Sequence, residues 1–288
     1  LANLYTDKGN YGKAEPLYLE AKDIREKTLG KEHPAYANCL NNLASLYFEL
    51  GNYEKAEPLY LEAKSINEKV LGKEDRTYAS NLNNLAVLYK NMGNNEKAES
   101  LYLEAKDIRE KTLGKKHPDY AMSLNNLASL YFGLGTHEKA EPLYLEAKDI
   151  WGKTLGKEHP LYALCLNNLA DGYKDIGNYK KAEPLYLEAK NIREKVLGKE
   201  HHAYTGSLNN LADLYERQTR FLEAELLLLE LLTRSQVTMV NATTFLSEAE
   251  LTKYIHAFQN SGNELIAYII ARQSIEAELG ILPNLAYD

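Results

Sequence analysis

At 288 residues the chain is long enough for one or two globular domains, and its formal charge of -7 includes no basic stripe that could neutralise a nucleic-acid backbone. It carries no 18-residue apolar run and nothing patterned like a signal peptide, so it reads as soluble, with no membrane partner. Its two cysteines, Cys39 and Cys165, hold one repeat position three periods apart, too far for a disulfide, which points to a reducing, cytoplasmic compartment.

From the first residue the chain is periodic. Leu1-Ala2-Asn3-Leu4-Tyr5 aligns with Leu43-Ala44-Ser45-Leu46-Tyr47, the middle of a helix, so residues 1–30 read as a partial first repeat of a longer protein. Full repeats follow at 31–72, 73–114, 115–156 and 157–198, each carrying the tetrad Asn-Asn-Leu-Ala that starts at Asn41, Asn83, Asn125, Asn167 and, in the degenerate last repeat 199–234, Asn209. A fixed period overrides a domain count, because such arrays grow by adding bricks.

Within 31–72, Pro34 suits the first turn of a helix A. Tyr36, Leu40, Leu43 and Tyr47 then form one helical stripe, predicting helix A to about Glu49. Gly51-Asn52 predicts a tight turn, and helix B carries Ala56, Tyr60, Ala63 and Ile66 before Gly72 closes it as a left-handed cap. Pro58, repeated as Pro16, Pro142 and Pro184, removes one backbone donor near the start of helix B. In the last repeat Thr219 replaces the turn glycine, and Leu226-Leu227-Leu228-Leu229 makes helix B more apolar. Beyond Arg234 the period is lost. Residues 235–288 form a C-terminal extension in which Ser247 and Glu250 predict a capping box, with helices to about Ser261 and from Glu264 to Leu279. Residues 199–288 hold six basic and twelve acidic groups, so acidity collects at this end.

Leu43-Ala44 with Tyr47, Gly51, Ala56, Tyr60 and Ala63 resembles the tetratricopeptide repeat. The 42-residue period and the linker Leu29-Gly30-Lys31-Glu32-His33-Pro34 are similar to the long variant found in kinesin light chains and many bacterial proteins. The resemblance implies an all-α, right-handed superhelical array over 1–234, with helix A lining the concave side and helix B the convex. Arg234-Ser235-Gln236-Val237 with Phe245-Leu246-Ser247-Glu248-Ala249-Glu250 resembles the segment that joins bacterial repeats to a caspase-like CHAT protease domain. On that resemblance the chain is the docking arm of an enzyme whose catalytic domain lies downstream, contacted through the extension.

The repeats align with one another and so separate scaffold from variable surface. The helix A core stripe leaves positions such as 41, 42, 45 and 48 on the opposite, groove side. There the amides of Asn41, Asn42, Asn83, Asn84, Asn125, Asn126, Asn167, Asn168 and Asn209 either grip the backbone of an extended peptide or bond neighbouring helices and hold the stack. Five hydrogen bonds at about 0.5–1.5 kcal/mol each barely meet an association cost on the order of 4–15 kcal/mol, so specific binding needs anchors. Phe48 and Phe132 offer apolar contacts, and Lys90 and Lys174 attract acidic side chains. Trp151 is expected at a partly exposed convex position, as a contact residue or packed on its own repeat. His33, His117, His159 and His201 read as helix caps rather than metal ligands. Lys106 with Glu110 and Asp107 with Lys111 read as surface i,i+4 pairs.

No phosphate loop, zinc spacing or nucleophile–base pair occurs, so the expectation is no enzyme, no catalytic residue, no metal and no cofactor. The function expected is a protein-interaction scaffold that binds a peptide or protein segment in the groove. The alternatives are the regulatory arm of a CHAT-type protease and a structural spacer with an empty groove.

Overall fold

The computed structural model describes residues 1–7 and 9–242. The extension helices expected after Ser247, and the protease-linker resemblance in so far as it rests on residues 245–250, lie outside the described residues. What is described is twelve α-helices in two compact units, Leu1–Lys157 and Glu158–Asp288.

In the first unit the helices are α1 (Ala2–Asp7), α2 (Tyr11–Leu29), α3 (Pro34–Glu49), α4 (Tyr53–Leu71), α5 (Arg76–Asn91), α6 (Asn95–Leu113), α7 (Pro118–Gly133) and α8 (His137–Thr154). The second holds α9 (Pro160–Asp175), α10 (Tyr179–Leu197), α11 (His202–Arg217) and α12 (Phe221–Ala242). Odd-numbered helices are the A helices, even-numbered the B helices. Inside each unit every helix packs on its sequence neighbours, and successive A helices also touch: α3 with α5 and α5 with α7 in the first, α9 with α11 in the second. The A helices thus form the inner layer of each unit. The last helix continues past Arg234, to Ala242.

Local chemistry sets these boundaries. His33, His117, His159 and His201 each accept a backbone N–H two residues on through Nδ1, and Asp75 does the same by carboxylate at 2.6 Å, so all five cap an A helix. Between helices A and B, Asn52 N–H donates to Tyr47 O at 2.8 Å and Gly51 N–H to Phe48 O at 2.9 Å, closing a Schellman turn on a glycine at φ 70°. Asn52 then caps helix B by accepting from Lys55 N–H at 3.2 Å. Gly72 departs from the expected left-handed cap: its φ of 85° is paired with ψ 165°, a region essentially open to glycine alone. Its N–H still donates to Glu68 O at 3.1 Å, closing the last turn of helix B, and its backbone then redirects the chain into the linker. In the last repeat Thr219 holds a turn at φ 59°, a strained conformation for a β-branched residue.

The core follows the two stripes. Tyr36, Ala37 and Leu40 of helix A bury against Ala63 of helix B, with Leu59 and Ile66 packed around them; Tyr78, Ala79 and Leu82 meet Ala105 and Ile108 in the same way. Alanines at the B positions let the helices approach closely, and replacing a leucine such as Leu40 with alanine in such a core costs about 2–5 kcal/mol. Repeats are also clasped by a tyrosine at the end of helix A. Tyr47, Tyr89 and Tyr131 donate to Glu15, Glu57 and Glu99 of the preceding B helix at 2.7–2.8 Å, while Lys55, Lys97 and Lys139 lie over their rings. Burial, then the glutamate hydrogen bond, pushes each of these phenols up to about 12.

Trp151 corrects the expectation of a partly exposed position. It is 0% exposed, and its Nε1–H donates to Pro118 O, in its own repeat, at 3.1 Å. Ala140, Tyr144, Ala147 and Trp151 recur at spacings of four, three and four, so the position continues the buried stripe of helix B. The equivalent residues Asn67, Arg109 and Arg193 are buried too. Each reaches a polar residue on the next A helix. Asn67 donates to Asn81 Oδ1 at 2.6 Å, Arg109 to Ser123 Oγ at 2.8 Å and Arg193 to Ser207 Oγ at 2.7 Å. This buried polar seam between repeats was not anticipated, although a small or polar residue fourteen positions after each of these residues was its signal in the sequence.

Candidate binding face on the A helices

In the first unit the inner face is built from Asn41, Asn42, Ser45 and Phe48 on α3, Asn83, Asn84, Val87 and Lys90 on α5, and Asn125, Asn126, Ser129 and Phe132 on α7. The amides link neighbouring repeats: Asn84 donates to Asn41 Oδ1 at 2.9 Å and Asn126 to Asn83 Oδ1 at 2.8 Å. In the second unit Asn210 donates to Asn167 Oδ1 at 3.0 Å. The second asparagine of one repeat therefore bonds the first of the repeat before it. Asn125 is 2% exposed and Asn167 7%, so these two amides face the stack. Asn42 and Asn209 are exposed; Asn41, Asn83, Asn84, Asn126 and Asn168 are half-buried and keep part of their surface at the face.

Phe48 and Phe132 are half-buried. Phe48 leans on Tyr53 with ring centroids 5.7 Å apart, while Phe132 stacks on Tyr144 at 5.6 Å and meets His137 at 5.1 Å. Each is a half-buried ring supported by an aromatic neighbour. Between them in repeat order stands Lys90, half-buried, whose Nζ donates to Ser129 Oγ at 2.6 Å. Burial pushes this ammonium below the ordinary lysine value, and no carboxylate lies within 4.0 Å of it among the described residues.

The second unit places Lys174 at the same register but surrounds it differently. It is 8% exposed and donates to Asp213 Oδ2 at 2.6 Å, with Asp171 Oδ1 at 3.7 Å. Arg217 Nε donates to Asp213 Oδ1 at 3.0 Å. Burial alone would raise the Asp213 carboxyl, but the hydrogen bonds from Lys174 and Arg217 outweigh it and hold it below the usual value. Asp171 receives Tyr186 OH at 2.5 Å, yet burial keeps its carboxyl above the usual value; burial, then Asp213, raises Glu216 as well. Lys174 is thus already neutralised, and the acidic attraction expected of it is met within the chain.

On the B-helix side of the first unit, Lys106 reaches Glu110 at 3.9 Å as expected, whereas Lys111 reaches Glu74, also at 3.9 Å. An open crevice lined by Leu61, Leu85, Tyr89, Lys97 and Leu101 lies there too. Both cysteines are free thiols. Among the described residues no group of three His, Cys, Asp or Glu side chains is placed to hold a metal, and no helix is long and apolar enough to cross a membrane.

The sequence profile described as Tetratricopeptide repeat matches residues 1–69, 77–144, 122–195 and 170–236. Among solved structures, BtubC (BKLC) from P. vanneervenii is similar over 80% of this chain and 91% of its own, with TM-score 0.62 and 24% identity. A candidate kinesin light chain of Podosopora anserina with nearly identical TPR-like repeats matches 67% of this chain and 92% of its own, with TM-score 0.53 and 29% identity. A single-substitution form of that protein gives 68%, 92%, 0.55 and 28%. No curated protein matches the chain.

Proposed function

The chain belongs to the tetratricopeptide-repeat family, and on that premise we propose that it is a protein-interaction module whose A-helix face in the first unit binds an extended peptide segment of a partner. Arrays of stacked repeats expose extended surfaces of this kind and serve as scaffolds, not as enzymes. The single observation that carries the reading is the pair of supported, half-buried aromatic rings, Phe48 on Tyr53 and Phe132 on Tyr144, on one face with partly exposed asparagine amides. Rigid aromatic anchors supply binding energy, and amides beside them fix the register of a peptide backbone.

The test is affinity capture from the source cell with three baits: the unaltered chain, Phe48→Ala with Phe132→Ala, and Leu61→Ser with Leu145→Ser on the B-helix side, where both leucines are exposed. A partner retained by the B-side bait and lost by the aromatic one is the expected outcome. Equal recovery on all three baits would leave a spacer with an unused face, and loss only from the B-side bait would move the function to the outer helices.

A further inference from the structure

Where a helix B ends and the linker to the next repeat begins, acids hold the lysines of the corner. Glu68 sits between Lys64 at 3.0 Å and Lys73 at 3.2 Å, and Glu26, Glu110 and Glu194 stand between the equivalent lysines at 3.1–3.9 Å. A second acid, at the start of the repeat, takes the lysine that follows this glutamate: Glu32 pairs with Lys69, Glu74 with Lys111 and Glu158 with Lys195. Repeat 115–156 lacks both acids. Gly152 stands where the shared glutamate does elsewhere, and Lys116 where the second acid does. Lys153 turns back to Asp149 at 2.6 Å instead, and no carboxylate lies within 4.0 Å of Lys116, Lys148 or Lys157 among the described residues. Four lysines are thus set against one aspartate, at a corner that in repeat 73–114 balances Lys106, Lys111 and Lys115 with Glu74, Asp107 and Glu110. Lys116, Lys153 and Lys157 are exposed and Lys148 is half-buried.

We infer that this corner at the end of α8 is a docking site for an acidic segment of a partner protein, whose carboxylates take the places of the two missing acids. It is built on helix B and the linkers, not on the A-helix face, and needs no ligand there. An exposed ion pair contributes only about 0–1 kcal/mol, so one carboxylate does not hold a partner and several acids close together are required. In the repeats before and after, each equivalent lysine meets an acid, so the positive patch is one repeat wide. That width suits a short acidic run and is too narrow to follow a nucleic-acid backbone. The formal net charge of -7 disfavours acidic molecules elsewhere on the chain and steers them to this corner.

The test measures a fluorescein-labelled dodecapeptide of alternating glutamate and serine by fluorescence polarisation, beside its glutamine counterpart and a single-stranded thymidine dodecamer. It is run at about 10 mM and about 150 mM salt, between which the screening length falls from about 30 to about 8 Å. Gly152→Glu with Lys116→Glu restores both acids. Lys116→Gln with Lys157→Gln removes two exposed cations and leaves the helix untouched. The control is Lys180→Glu with Asn191→Asp, at exposed positions of α10 where the preceding repeat has Glu138 and Asp149; it adds the same negative charge as the restored acids. At low salt the glutamate peptide should bind at least tenfold more tightly than the glutamine peptide, a difference of about 1.4 kcal/mol, and the higher salt should remove most of it. Both corner variants should weaken the glutamate peptide about tenfold, and the control should stay within about twofold of the unaltered chain. Adding Glu110→Gly with Glu74→Lys to the restored variant opens the corner of repeat 73–114 instead and should rescue binding at unchanged net charge. Corner variants that bind as the unaltered chain does, or a control that loses as much as they do, would overturn the site. So would equal binding of the glutamine peptide, or an oligonucleotide held as tightly as the glutamate peptide.

Discussion

The two units are assembled from the same helix pair, yet their inner faces differ in charge. The first presents Ser45, Val87 and Ser129 at the position where the second presents Asp171 and Asp213. Around Lys174 those carboxylates make a self-contained cluster with Arg217, whereas Lys90 is answered only by a hydroxyl. The stacking positions beneath, Leu85 and Ala86 in one unit and Leu169 and Ala170 in the other, are buried alike. One substitution on the inner face therefore decides whether a lysine there meets a carboxylate or a hydroxyl, while the residues that hold the stack stay unchanged.

The largest expected effect lies in the buried seam, where the first unit ends on Trp151 and the second carries Arg193. Trp151→Ala should cost about 3–5 kcal/mol, since it empties a fully buried indole site. Arg193→Ala, which removes the buried guanidinium's bonds to Ser207 Oγ, Ala203 O and Asn167 Oδ1 while Ser207 keeps its own bond to Ala203 O, should cost about 1–3 kcal/mol. Urea midpoints measure both, and equal losses would show that the seam does not distinguish the units.

Next come the lysines. Asp213→Ala leaves Lys174 buried with Asp171 at 3.7 Å as its remaining acid and should destabilise by about 1–2 kcal/mol, discounted because the aspartate side chain is 42% exposed. Lys90→Met discards an unanswered charge and should be neutral or slightly stabilising by the same measurement. A loss at Lys90 as large as that at Asp213 would erase the contrast.

Acidity sharpens the difference further. Asp171 and Glu216 have raised carboxyl values in the folded chain, so the fold favours their protonated forms. Their contribution is present at low pH and is lost as pH rises from the ordinary carboxylate range through the raised values. Asp213, held low, acts oppositely and loses stability only as pH falls through its depressed value. Asp171→Asn with Glu216→Gln should therefore lose less melting temperature than the unaltered chain as pH rises through the raised carboxyl values. An unchanged profile in that double variant would remove the second unit's carboxylates as the cause.

The smallest effect concerns the turns. Gly51→Ala in the first unit should cost about 1–2 kcal/mol, the penalty of a left-handed backbone for a residue with a Cβ. Thr219→Gly in the second should gain about 0.5 kcal/mol, because relief of that strain exceeds the added freedom of glycine in the unfolded chain. Differential scanning calorimetry of the two variants resolves opposite signs; a loss at Thr219→Gly would mean that its side chain holds the turn.

Sequence alone determined the helix pairs of the repeats and their order, though not the run of the last helix past Arg234. Helix A was expected from Pro34 to Glu49 and spans those residues, because a 42-residue repeat of apolar spacing, proline, asparagine and glycine is local chemistry that needs no partner to be read. Tertiary structure decided what lies between the repeats. Trp151 is buried because helix B turns this position inward, where the indole N–H reaches Pro118 O on the A helix of its own repeat. Asn125 and Asn167 face the stack because their bonds run to neighbouring residues and helices. Lys90 and Lys174, alike in one-dimensional register, part ways because each is paired across a helix boundary with a residue 39 positions on. Periodicity fixes how a residue faces on its own helix, but whether a charge is answered depends on distances between helices, and those exist only once the repeats have stacked.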